Sequence, residues 1–254
     1  MKRTILKNAQ IILLDQKRMM KGSVVFNAAG QIESVGPDPV TLDEETQVID
    51  CQNKYIIPGL INAHAHLFSS GKPLNVQMPA FLTRTGYKLL QTSAGKALLR
   101  KIMHNNAQTQ LQSGVTTLRS VGEFFYQDVR LRDWYEKGEA LGPTLQVSGF
   151  FLTTTDGHGA PYLALEGDSP WEGRKNVRKN LRQGIDWIKI CVTGGVTDAL
   201  RIGEAGALQL TQEEVEAICE KPIKWDVWWQ PTSKVPRVCA LPSGQGLIQL
   251  NMGQ

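Results

Sequence analysis

At 254 residues, 41% of them hydrophobic, the chain has material for one large barrel or two modest domains. A net charge of +4 without a Lys/Arg run argues against a nucleic-acid-binding face, and no apolar stretch reaches membrane-spanning length. The four cysteines (Cys51, Cys191, Cys219, Cys239) are scattered without a C-x-x-C pair, and Met1 to Asn8 lacks the apolar run of a signal peptide, so a cytoplasmic protein is expected.

Residues 1–57 read as short strands. Thr4 to Leu14, Gly22 to Phe26 and Ile32 to Val35 are apolar or alternating, with Asn27-Ala28-Ala29-Gly30 as a turn, so a small β-domain is predicted. An apolar lead, Tyr55 to Ile57, then enters Pro58-Gly59-Leu60-Ile61-Asn62-Ala63-His64-Ala65-His66. In a strand, residues i and i+2 share a face, so His64 and His66 project together. Two neutral imidazoles on one face suit a divalent transition metal; the plain alternative is two polar residues at a strand end. Phe68 to Thr92 has no clear period and reads as loop with some helix.

A regular alternation follows. Ser93 can cap a helix from Ala94 to Gln112, closed by Gly114, and Val115-Thr116-Thr117-Leu118 is a strand by its β-branching. Gln127 to Gly138 reads as a helix, Thr144 to Val147 as a strand, and Glu172 to Gln183 as a basic helix ended by Gly184. Trp187 to Val192 is the next strand, and Thr211-Gln212-Glu213-Glu214 has capping-box form before a helix reaching about Glu220. Strands separated by single helices predict an α/β fold with parallel βα units, of which a TIM-type (β/α) barrel is the common large version. In that fold chemistry sits at strand C-termini, where His64 and His66 fall.

Lys189 lies in a strand otherwise suited to burial, between Ile188 and Ile190. A buried ammonium is costly, so such a lysine is paired, deprotonated or chemically modified. An ion pair with Asp186, or a reach to solvent past the strand edge, is the structural alternative. The Thr193-Gly194-Gly195-Val196 turn after it lets backbone approach a ligand.

Together these residues resemble the amidohydrolase superfamily, in its imidazolonepropionase-like and Xaa-Pro-dipeptidase-like branch. The matching pieces are the N-terminal β-segment, the Pro58–His66 motif, Gly114-Val115-Thr116-Thr117-Leu118-Arg119, the Asp156-Gly157-His158-Gly159 loop and Asp186-Trp187-Ile188-Lys189-Ile190. The resemblance covers residues 1 to about 220. It implies half of a composite β-sandwich over 1–57 and the first half of a metal-dependent hydrolase barrel over 58–220. It also implies that His64 and His66 hold one metal, zinc by preference, of a binuclear pair. Lys189, carboxylated by carbon dioxide, would bridge both metals, and His158 would act in the substrate pocket, its alternative being a solvated loop histidine. His104, inside a helix, matches nothing and reads as structural. Asn62 and Ser120 stand where the family usually has aspartate.

The serious departure is C-terminal. The family supplies two more histidines and an aspartate from its fifth, sixth and eighth strands, and this chain has no histidine after His158. Residues 221–254 hold three of the six tryptophans, one acidic residue (Asp226) and no βα alternation. The codons of this tail, taken one frame over, force glycine at Trp225-Asp226, valine at Trp228-Trp229 and alanine at Trp229-Gln230, and permit histidine at Pro231-Thr232. Asn251-Met252 allows only histidine or tyrosine, and Met252-Gly253 forces glycine. The restored histidines would lie 20 residues apart (251 − 231), close to the family interval between fifth and sixth strands. A frameshift near Glu220-Lys221 is therefore expected, with 221–254 an out-of-frame, disordered tail; a diverged native tail is the alternative.

The function expected is hydrolysis of a carbon–nitrogen bond in a small amide, cyclic amide or dipeptide by a metal-activated water, with little turnover by this truncated chain. The alternative is a non-catalytic interaction module that pairs with another chain. No nucleic-acid or membrane partner is expected, and a homo-oligomer is left open.

Overall fold

A computed structural model describes residues 3–38, 46–71, 80–196, 199, 201–220 and 247–249. It is a mixed α/β structure that divides between Gly59 and Leu60 into two compact units.

In the first unit, β1 (Thr4–Leu13) pairs antiparallel with β2 (Arg18–Phe26), with Ile5 opposite Val25 and Ile11 opposite Met20. A register shift between Leu6 and Ala9 interrupts the ladder, and Asn8 there takes a positive φ of 55°. β3 (Ile32–Gly36) adds antiparallel to β2, while β4 (Gln47–Asp50) and β5 (Tyr55–Ile56) lie parallel to successive parts of β1. Ile5, Ala9, Ile11 and Val24 are buried, and Asn27 forms the expected turn by accepting the Ala29 and Gln31 N–H groups on its side-chain oxygen.

The second unit begins with β6 (Leu60–Ala65). It runs parallel to β7 (Val115–Ser120), which runs parallel to β8 (Thr144–Gln146). Among the described residues, two helices lie between β6 and β7. α1 (Ala80–Leu90) falls within the stretch that shows no clear period, and α2 (Ser93–Gln112) is capped by Thr92, one residue earlier than the sequence suggests. Thr92 accepts the Gly95 N–H on its hydroxyl. α3 (Gln127–Glu136) follows a short 3-10 turn, Phe124–Tyr126.

A second parallel group holds β9 (Phe151–Thr153) between β10 (Ala164–Glu166) and β11 (Lys189–Cys191). α4 (Pro170–Leu181) precedes β11. Ser169 caps it on the Glu172 N–H and Pro170 sits in its first turn, two residues ahead of the expected start. α5 (Gln212–Cys219) has the reciprocal Thr211–Glu214 capping box that its sequence announces. The strand expected over Trp187 to Val192 is confined to three residues. Among the described residues the β6–β8 and β9–β11 groups are not hydrogen-bonded to each other. No described helix is long and apolar enough to cross a membrane.

The core joins the inward face of α2 (Leu99, Met103, Ala107) to Leu118, Leu145, Leu152 and Ile190 from the strands and to Val147 just past β8. Most of the tail lies outside the described residues; Leu247–Gln249, β12, pairs antiparallel with β11, Lys189 opposite Gln249.

Candidate active site

The Pro-Gly turn delivers the chain into β6, and the strand period brings His64 and His66 together with ring centroids 5.7 Å apart and planes at 72°. The Nδ1 of His66 lies 2.9 Å from the Gly122 carbonyl oxygen. A carbonyl only accepts, so Nδ1 carries the proton and the Nε2 lone pair is left for another partner. His64 is exposed, while His66 is half-buried. Burial, first, and then the nearby positive Lys189 lower the basicity of both rings, and the Gly122 bond partly offsets this at His66. Both are therefore biased toward neutral imidazole, the form that ligates metals.

Lys189 is 3% exposed, which removes the reach to solvent. Its expected partner Asp186 is engaged elsewhere: one carboxylate oxygen lies 2.7 Å from Arg132 and the other accepts the Val147 N–H at 2.8 Å. Among the described residues Lys189 has no ion-pair partner, and burial lowers its pKa. Its positive charge is near enough to contribute to the lowered basicity of both imidazoles.

His158 stacks on Phe151 with centroids 5.7 Å apart, and its backbone N–H faces Gln209 Oε1 at 3.4 Å. Its proximity is the least of the causes that lower the basicity of His66. His104 stands apart, its Nδ1 2.8 Å from the Tyr135 hydroxyl, between α2 and α3. Asn62 accepts the His64 N–H on its side-chain oxygen at 3.1 Å.

Sequence reasoning missed two buried acids, one of them bonded to the backbone directly after His66. Glu123 is fully buried, and its carboxylate accepts the N–H groups of Leu67 and Phe68 and the Ser120 hydroxyl. A buried carboxylate thus comes from Glu123, bonded to the Ser120 position where the resemblance has aspartate. Asp128 is also fully buried, accepting from Val129 and Gly149 N–H at 2.9 Å each. Burial raises both pKa values, Asp128 to about 6 and Glu123 well above the ordinary range, with Asp128 adding to the rise at Glu123. The available signal was an acid directly after a glycine, Gly122-Glu123, at the end of a strand.

The sequence matches the amidohydrolase family over residues 55–230. The chain belongs to the amidohydrolase family. This is a family of hydrolases whose members generally use divalent metals and act on small molecules. The chain is 35% identical to a Bifidobacterium longum protein assigned as a prolidase, with a TM-score of 0.65, covering 87% of this chain and 47% of that one. It resembles in fold a Xaa-Pro dipeptidase crystallised with methionine in its active site (TM-score 0.66, 24% identity, 85% of this chain, 53% of that one). An adenine deaminase of Paracoccus denitrificans is 24% identical over 164 residues, 64% of this chain and 25% of the deaminase. The chain therefore spans about half the length of these solved structures and less of the deaminase.

Among the described residues no three of His, Cys, Asp and Glu converge as a metal cluster. The donors brought together are two imidazoles and a lysine. The free Nε2 of His66, and a buried amine without a counter-ion, fit a metal site that these residues fill only in part.

Proposed function

We propose that this chain carries the first part of a metal-dependent hydrolase of carbon–nitrogen bonds, built on an incomplete (β/α) barrel. One observation carries the reading: His66 is held through Nδ1, leaving Nε2 available, beside His64 and near a buried lysine that has no ion-pair partner among the described residues. His64 and His66 would hold a divalent ion, zinc by the preference of imidazole. Polarisation of a carbonyl and activation of a water are the chemistry such an ion supplies when bound.

Burial that disfavours the Lys189 ammonium favours the free amine, which can add to carbon dioxide and release one proton to form a carbamate. The lysine then becomes an anionic oxygen ligand, which resolves the cost of burying its charge. His158, on the neighbouring loop, orients substrate. The prolidase and dipeptidase relatives support an amide, cyclic amide or dipeptide as substrate.

A second reading has its own observation. Leu247–Gln249 lies antiparallel on β11, along the strand that carries Lys189, where a parallel neighbour would have to pair. This favours a chain of hydrolase ancestry with little turnover of its own, as a frameshift near Glu220 would produce. The family match continues to residue 230, so resequencing across codons 210–230 tests that origin directly.

The metal reading is tested by elemental analysis after dialysis. Wild type should retain less than one zinc per chain, and Lys189→Ala or His66→Ala should reduce this further. Equal metal content in all three proteins would remove these residues from the site.

A further inference from the structure

Residues 120–123 grip the chain around His66 at four points. Val121 N–H donates to the Ala65 carbonyl at 3.0 Å, and the Gly122 carbonyl accepts from His66 Nδ1 at 2.9 Å. The Glu123 carboxylate accepts the Leu67 N–H, and at 3.1 Å the Phe68 N–H. Glu123 N–H in turn donates to the Gly149 carbonyl at 2.9 Å, which ties the turn to the end of β8.

Carboxylates are expensive to bury, and Glu123 has no cationic partner among the described residues. What surrounds it is a set of donors: two consecutive backbone N–H groups directly after His66, and the Ser120 hydroxyl at 3.2 Å. Those N–H groups follow the end of β6 and have no ladder partner there. Without the carboxylate the buried Leu67 N–H and the partly buried Phe68 N–H would be unsatisfied, and the backbone would turn to find other acceptors. Such a turn would carry the His66 ring off the Gly122 carbonyl.

We propose that Glu123 is a positioning residue for His66: its carboxylate fixes the 66–68 backbone so that the imidazole stays bonded through Nδ1 and presents Nε2 to the site. The link to metal rests on the metal reading above; the clamp itself does not. Outer partners that orient a ligating histidine typically account for 10- to 100-fold in metal affinity.

The test uses the full chain. Glu123→Gln keeps the volume but puts an NH2 group against a backbone N–H. In the metal-free protein at about pH 8, two-dimensional 15N–1H NMR should show His66 in a single Nδ1–H tautomer in wild type and a tautomer mixture in Glu123→Gln. Cobalt(II) titration, followed by visible absorption, should give roughly 10-fold weaker binding and an altered spectrum for the variant. The double variant S120D/E123A returns a carboxylate from 3.2 Å away and should restore both signals, a rescue that a generic loss of packing would not show.

A folded Glu123→Gln that keeps one tautomer, or a folded double variant that does not regain it, overturns the proposal. If wild type binds no cobalt while Glu123→Gln still loses the tautomer, the clamp stands and the metal reading falls. Should Glu123→Gln fail to fold, Ser120→Ala withdraws one donor from the carboxylate, and an unchanged His66 tautomer and cobalt affinity there would count against the clamp.

Discussion

Asp128→Asn is the sharpest test of how the site is built. The folded pKa of Asp128 is about 6 against an unfolded value of 3.8, with burial as the main cause and the Gly149 and Val129 N–H bonds opposing it. A carboxyl whose folded pKa is raised binds its proton more tightly in the folded state. Its stabilising contribution is therefore fully present below pH 3.8 and is lost as pH rises through 6. The difference, 6 − 3.8, corresponds to about 3 kcal/mol between the two ends of that window. Asparagine does not titrate, and its single carbonyl oxygen satisfies one of the two N–H groups, leaving the other unmet at a cost of roughly 1–3 kcal/mol. The variant should thus be less stable than wild type at pH 4 and equal or more stable at pH 8. His64 and His66 act in the opposite sense, since their lowered pKa values remove stability as pH falls below 6.5. They are common to both proteins and cancel in the difference. Urea unfolding from pH 4 to 8, followed by tryptophan fluorescence, gives that difference for the second unit, because all six tryptophans lie beyond residue 60. A gap that stays constant across the range would refute the assignment of Asp128 as a buried, titrating acid.

Two further substitutions probe the scaffold. Gly122 has φ of 133°, and a Cβ there would come within 2.3 Å of the Phe151 ring, so Gly122→Ala should destabilise by about 3 kcal/mol, read as a lowered urea midpoint. Thr211→Ala removes the hydroxyl half of the α5 capping box, leaving the Thr211 backbone N–H on Glu214, and should cost about 1 kcal/mol in the same assay, with Thr211→Ser recovering most of it.

The sequence made some of this legible and concealed the rest for identifiable reasons. Signals carried by adjacent residues survive in one dimension: the period-two spacing of His64 and His66, and the four-residue capping box at Thr211. Ser169-Pro170 with Glu172 is of the same kind, but it is masked by the weak apolar periodicity of the strongly polar α4. β9, β10 and β11 have three residues each, too few to show a period. Glu123 and Asp128 could not be found this way. Their meaning lies in partners at Leu67, Phe68 and Gly149, set by the parallel pairing of β6, β7 and β8 rather than by any local pattern. Lys189 was found by its apolar neighbours, but its isolation was not. Asp186, three residues away, turns to Arg132, 54 positions off in the chain.

That isolation constrains any metal chemistry at the site. An ammonium at Lys189 lowers the basicity of both imidazoles, which is the same repulsion that a bound cation would feel from it. A positive Lys189 and a divalent ion on His64 and His66 are therefore antagonists within one low-dielectric space. Loss of the proton would remove the antagonism, and on the proposed reading carbamate formation would reverse its sign, turning the lysine from competitor to ligand. The structure contributes toward the first step by burying the amine at 3% exposure with no described counter-ion, which lowers its pKa and shifts the balance toward the neutral form. On the proposed reading, the burial of Lys189 and the neutrality of the two histidines are one device: an aqueous lysine would keep its charge, and the same two imidazoles would then make a poorer site.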